Sequence, residues 1–129
     1  MRKTLLLVAS ALLMALVTAQ AGCGGGDGGT GSVCPTTAPP TYDTFAKPFF
    51  DTYCVSCHSS ARTGAQRGGA PVGRDYDTLA GVRTDLDAID AESAAGPDAT
   101  NTSMPPGIPQ PSADDRKKLG EFLACEKAK

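Results

Sequence analysis

The chain has 129 residues, with 12 Lys and Arg against 14 Asp and Glu, one histidine, five cysteines and no tryptophan. A formal charge of −2 with no basic cluster excludes nucleic acid as a credible partner. The length allows one small domain, which by itself buries only about 60% of its unfolded surface and is marginal without a staple or a bound group.

The N-terminus reads first. Met1-Arg2-Lys3 is basic, Leu5 to Val17 is apolar, and "TAQAGC" is small and polar. That order is the order of a secretory signal peptide over residues 1–22, and a core of 13 residues, all apolar but Ser10, falls short of the roughly 20 that span a bilayer. Two processing sites compete. "AQA" fits cleavage before Gly22, whereas "QAGC" resembles a bacterial lipoprotein box that would make Cys23 the lipidated first residue, although Gln20 stands where an aliphatic residue is usual. The stretch after Cys23, "GGGDGGTGS", suits a flexible tether, so residues 23–41 are expected to link a membrane anchor to the domain. Removing residues 1–22 leaves ten basic against fourteen acidic side chains, a formal −4. An acidic surface of that kind favours a basic partner on approach.

The remaining stretch, 42–129, is expected to hold three helices and no strand. The first starts no earlier than Thr44, because Pro48 must sit in or near its first turn, and it runs into the cysteines with Phe45, Phe49 and Tyr53 on one face. Five of the seven aromatic residues fall between 42 and 53. The second helix is "DTLAGVRTDLDAI", with Asp77 as N-cap and Leu79, Val82, Leu86 and Ile89 on one stripe. Asp85, Asp87 and Asp90 oppose its dipole and predict an early end. The third is "SADDRKKLGEFLAC", capped by Ser112, with Asp114 and Asp115 in the first turn and Leu119, Phe122 and Leu123 buried. Two long irregular stretches separate them, Ser59 to Arg74 and Ser93 to Pro111. Loops of that length in a small domain are usually functional.

The chemistry centres on Cys54-Val55-Ser56-Cys57-His58. A structural zinc site needs four ligands, and the pair plus His58 supplies three. Thiol–disulfide exchange motifs sit where a strand meets a helix, and an aromatic-rich helix precedes Cys54 instead. C-x-x-C-H is also the attachment signature of c-type haem. Two thiols three residues apart on one turn reach two vinyl groups, and the next residue's imidazole reaches the iron. An exported chain suits that chemistry. Met1 and Met14 leave with the signal peptide, so Met104, stiffened by Pro105 and Pro106, is the one methionine left for the sixth position. The plainer alternative is that Met104 fills a core gap.

Taken together, "FFDTYCVSCHSS", "GAPVGRDYDTLAGV", "NTSMPPG" and "PSADDRKKLGEFLAC" resemble a small monohaem c-type cytochrome, class I-like, of the bacterial lipoprotein form. The resemblance covers residues 42–125. It implies an all-α domain of about three helices and long loops wrapped around one covalent heme c, with thioethers at Cys54 and Cys57 and axial ligands His58 and Met104. It implies that the first and last helices cross. It also implies that the carbonyl of Pro71 receives the His58 Nδ1–H, against the alternative that Pro71 is an ordinary loop proline. Phe122 stands where a tryptophan is frequent, and "SSARTGAQRGG" is an unusual loop.

With Cys23 assigned to lipid and Cys54 and Cys57 to haem, Cys34 and Cys125 are left as disulfide partners or as two free thiols. The expected function is one-electron transfer on the periplasmic side of the envelope, without catalysis, by a monomer exchanging electrons with a redox protein donor and acceptor. A haem-based sensor or peroxidase-like protein with an open sixth position is the alternative.

Overall fold

The computed structural model describes residues 29–129. The expected signal peptide and the candidate lipid site Cys23 lie outside them. The described chain is all-α, with no strand in it beyond one isolated bridge between Ala95 and Thr100.

The aromatic segment opens with a π-helical turn, Tyr42–Ala46, and continues as α1, Lys47–Tyr53. The Thr41 hydroxyl accepts the Thr44 N–H, and the Thr41 carbonyl takes the N–H groups of both Phe45 and Ala46. Pro48 lies in the first turn of α1, where no intrahelical donor is needed. The segment therefore begins two residues before the expected Thr44. Phe49 packs against Phe45, Phe50 and Tyr53 at centroid distances of 5.7, 5.9 and 4.9 Å.

The second expected helix is two. Thr78, not Asp77, caps α2 (Leu79–Arg83) by accepting the Gly81 N–H, and α3 covers Leu86–Ser93. The break at Thr84 and Asp85 has local and distant causes. Thr84 donates its hydroxyl to the Gly81 carbonyl at 2.6 Å, and the Thr84 and Asp85 N–H groups tighten onto Gly81 and Val82. The Asp85 carboxylate meanwhile receives the Tyr76 hydroxyl at 3.2 Å and faces Arg74 at 3.7 Å. Asp77 turns to the loop instead. Hydrogen bonds from the Ser59 side chain and the Ser60 N–H hold its carboxyl below the usual range.

The last helix, α4, spans Ala113–Lys127 with Ser112 as its cap. Leu119, Phe122 and Leu123 are fully buried and meet Phe49, Phe50, Val82 and Ile89 in one core. α4 packs mainly on α3 and reaches the N-terminal segment through the Tyr42–Ala46 turn, where Lys118 sits over the Phe45 ring at 5.5 Å.

Residues from within the expected tether, 23–41, pack on the domain. Thr30 is fully buried and donates its N–H and hydroxyl to the two carboxylate oxygens of Asp90 at 3.2 and 2.8 Å, while its carbonyl accepts the Asp98 N–H. A buried carboxylate needs donors, and the small polar segment supplies them. Gly120 lets this strap pass close to α4, since a Cβ there would lie 2.4 Å from the Ser32 hydroxyl. The domain thus reaches back at least to Thr30.

Glu126, near the end of α4, is 2% exposed and receives Arg83 Nε and Nη2 at 2.8 and 2.7 Å on Oε2, with Lys129 Nζ on Oε1. Burial would raise its pKa, but the bonds from Lys129 and Arg83 outweigh burial and lower it. A lowered folded pKa means that the ionised form stabilises the fold at neutral pH, and that this contribution drains away as pH falls below about 4.5. Glu126→Gln is expected to cost about 1–3 kcal/mol at pH 7 and to flatten the acid limb of the stability curve. Denaturant unfolding across that range measures both, and an acid limb as steep as the parent's would refute the assignment.

Candidate functional site

A cavity of about 560 Å³ lies between the cysteine turn, the loop after it, α3 and the 104–109 loop. Its wall includes Cys54, Cys57, His58, Pro71 and Met104, so it brings together every described residue expected at the site.

The cysteine turn follows directly from α1. Cys54 caps that helix with its N–H on Phe50, and its own carbonyl receives the N–H groups of Cys57 and His58 at 3.1 and 2.8 Å. Both thiols are free. Burial pushes the Cys54 thiol up to about 12, with the Arg116 charge opposing, so that thiol is almost wholly protonated at neutral pH. Gly68, in the left-handed conformation, stands beside Cys57, and a Cβ on it would come within 3.1 Å of the sulfur.

His58 is fixed on two sides. Its ring stacks on Tyr76 with centroids 4.7 Å apart and an interplanar angle of 14°, and its carbonyl accepts the Tyr76 N–H at 2.9 Å. Nδ1 lies 3.0 Å from the carbonyl oxygen of Arg74. With the proton on Nδ1, the Nε2 lone pair is free to bind a metal. The expected partner, Pro71, has a different role. Its carbonyl accepts Arg67 Nη2 at 2.6 Å, so the second bond to the imidazole comes from three residues further along. Arg67 shapes this loop. Its buried guanidinium also donates to the carbonyls of Ser59, Ala70 and Arg74 and pairs with Asp75 at 2.8 Å, curling the 59–75 loop around itself. Burial, with Asp85 alongside, raises the Tyr76 phenol, which keeps the stacked ring neutral.

Met104 is 38% exposed on the rim of the same cavity. Its N–H bonds the Glu92 carbonyl and its carbonyl accepts Arg116 Nη1, both at 2.9 Å. With that exposure it does not fill a gap in the core. Tyr76, Arg67, Arg74 and Arg116 were not expected at the site. Arginines carry no periodic signal, and Tyr76 stood alone in a loop.

Among the described residues no three His, Cys, Asp or Glu side chains converge as a metal cage. Two thiols on one turn, an imidazole with Nδ1 engaged, and a thioether share one cavity with aromatic and aliphatic walls, including Tyr53, Tyr76 and Ile89. A volume of that size falls within the range of cofactor pockets, about 300–1,000 Å³.

The sulfurs of Cys34 and Cys125 lie 1.90 Å apart with their Cα atoms 4.6 Å apart, bringing the strap to the last turns of α4. No helix among the described residues is long and apolar enough to cross a membrane. No protein-family model matches the chain, and no curated protein or solved structure matches it.

Proposed function

We propose that this protein is an exported one-electron carrier of the monohaem cytochrome c type, its cavity filled by one covalently attached heme c. The single observation that carries the reading is the convergence of Cys54, Cys57, His58 and Met104 on one cavity. Cys54 and Cys57 would supply the thioethers, His58 Nε2 the proximal ligand and Met104 the distal one. When bound, the haem iron supplies reversible one-electron redox chemistry, and a thioether ligand favours its ferrous state.

The chain's own residues then orient and shield. Arg74 and Tyr76 hold the imidazole in plane and fix its tautomer. Two protein ligands leave no position for a substrate, so the protein passes electrons between a redox donor and an acceptor without catalysing a reaction. The high Cys54 pKa weighs against thiol–disulfide exchange, which requires an accessible thiolate. In the proposed setting the domain acts as a monomer in the periplasm, tethered by lipid on Cys23. Its mature charge of −4 favours a basic partner.

We also read Cys34 and Cys125 as a disulfide closing a loop of 91 residues. Cys125→Ser is then expected to lower unfolding stability by about 2–4 kcal/mol, measured in denaturant on the holoprotein. Equal stability of parent and variant would remove the bond from the account.

The test of function is natively exported protein. It should be red, should stay red through acid–acetone extraction, and should titrate as one single-electron couple at positive potential. Colourless protein from cells with a working haem-attachment apparatus would end the proposal. The exposure of Met104 at the rim supports a second reading, a haem-based sensor or peroxidase-like protein whose sixth position opens. Rapid carbon monoxide binding to the native ferrous protein would favour it.

A further inference from the structure

Arg116 is 3% exposed on α4, a helix otherwise buried through Leu119, Phe122 and Leu123. Packing alone would be served there by an aliphatic side chain, and burying a guanidinium is costly unless its donors are met. They are met by four neutral oxygens, one from Ser93 at the end of α3 and three from the loop that carries Met104. Nη1 donates to the carbonyls of Ser93, Asn101 and Met104 at 2.7, 3.0 and 2.9 Å, and Nη2 donates to Gln110 Oε1 at 2.6 Å. Gln110 in turn donates its Nε2 to the carbonyls of Pro105 and Gly107 at 2.6 and 2.5 Å. Arg116 therefore grips the loop at its start and at Met104, and Gln110 draws the Pro105–Gly107 bend onto the same point.

We propose that Arg116, working with Gln110, is a positioning residue that holds the loop 93–110 so that Met104 stays committed to the sixth coordination position. This rests on the reading of Met104 as an iron ligand. Its contact with residue 104 is to the backbone carbonyl, so the device fixes where that residue sits and does not engage its thioether. The guanidinium sets two separate nitrogens against these oxygens, Nη1 against three carbonyls and Nη2 against Gln110, whereas a lysine ammonium offers a single nitrogen.

The experiment uses the exported, haem-loaded full chain as Gln110→Ala, Arg116→Met and Arg116→Lys, with Met104→Ala as reference. Gln110 is exposed, so its variant tests the clamp even where Arg116→Met fails to fold. All folded variants should keep acid-resistant colour. Gln110→Ala and Arg116→Met should weaken the sulfur-to-iron charge-transfer band and bind carbon monoxide in the ferrous state about tenfold or more tightly, because apparent affinity scales with the fraction of open sites. Exchange of the Met104 N–H, bonded to Glu92 in the parent, should speed up by a similar factor, and Arg116→Lys should not restore the parent values. On the Met104→Ala background Gln110→Ala should add nothing to carbon monoxide binding. Folded variants with lower melting temperatures but an unchanged band, carbon monoxide affinity and Met104 exchange would reduce Arg116 to a structural role and overturn the proposal. A native protein that binds carbon monoxide as Met104→Ala does would instead remove Met104 ligation itself, a failure of the underlying reading that is visible without any clamp variant.

Discussion

Protein exported with Cys54→Ser and Cys57→Ser is expected to carry no colour that survives acid–acetone. The two sulfurs are the only side chains of the cavity wall able to form a thioether, and no other described cysteine lines it. The loss should reach the fold as well. A void left by one leucine-sized side chain costs about 2–5 kcal/mol, and a cavity of 560 Å³ is several times larger, so even partial flooding leaves a heavy deficit. Against a total stability of about 5–15 kcal/mol, the double variant should sit near its unfolding midpoint at 25 °C. Near-ultraviolet circular dichroism and denaturant titration measure this directly. The aromatic side of the domain, Phe45 to Phe50 packed on α4, should lose structure last, because Phe45, Phe49 and Phe50 do not line the cavity, whereas Tyr53, Tyr76 and Ile89 of the same core do. A serine pair that is colourless yet as stable as the parent would show that the cavity is not where the cofactor belongs.

The elements that the sequence reveals are those whose causes are local. α4 can be read because Ser112, Asp115, Leu119, Phe122 and Leu123 act within the helix or on its one face. The split between α2 and α3 cannot. It depends on Tyr76 and Arg74 drawing Asp85 aside, across a loop whose path no spacing fixes. The same division runs through the site. Cys54, Cys57, His58 and Met104 stand out by motif or by being the last of their kind, and one cavity gathers them. The carbonyl facing His58 belongs to Arg74, in a loop that Arg67 coils by bonding the carbonyls of Pro71 and Arg74 alike. A sequence shows an arginine as a surface charge until the fold buries it. Residues 30–34 mislead in the opposite sense. Their glycines and hydroxyls read as linker, and they are held by a carboxylate, Asp90, sixty residues away.

Those two buried arginines give the site a common logic. Arg67 organises the loop that orients the imidazole, and Arg116 organises the loop that presents the thioether. Each contacts backbone oxygens, so the shape of the cavity wall is set by groups that themselves need not touch the cofactor. A domain with seven aromatic residues and no tryptophan lacks the apolar mass to stiffen both loops by packing. Charged forks do it instead, at a desolvation cost that hydrogen bonds offset.

That logic makes Met104→Ala the sharpest single substitution in the molecule. The clamp holds the residue 104 carbonyl, which alanine retains, so the loop should keep its place while the sulfur disappears. With Met104 38% exposed, the packing part of the stability loss should stay well under that of a fully buried methionine, about 1 kcal/mol. The electronic effect should be large by comparison. Removing a thioether withdraws the ligand that favours ferrous iron, and axial ligands command a span of about 0.8 V, so a fall in midpoint potential on the order of 100 mV or more is expected. The ferric charge-transfer band should vanish, and ferrous protein should bind carbon monoxide without any prior loop opening. Redox titration and carbon monoxide binding on the same preparation decide the matter. A variant with the parent's potential and the parent's resistance to carbon monoxide would mean that some other group holds the sixth position, and that Met104 sits at the rim for a different reason.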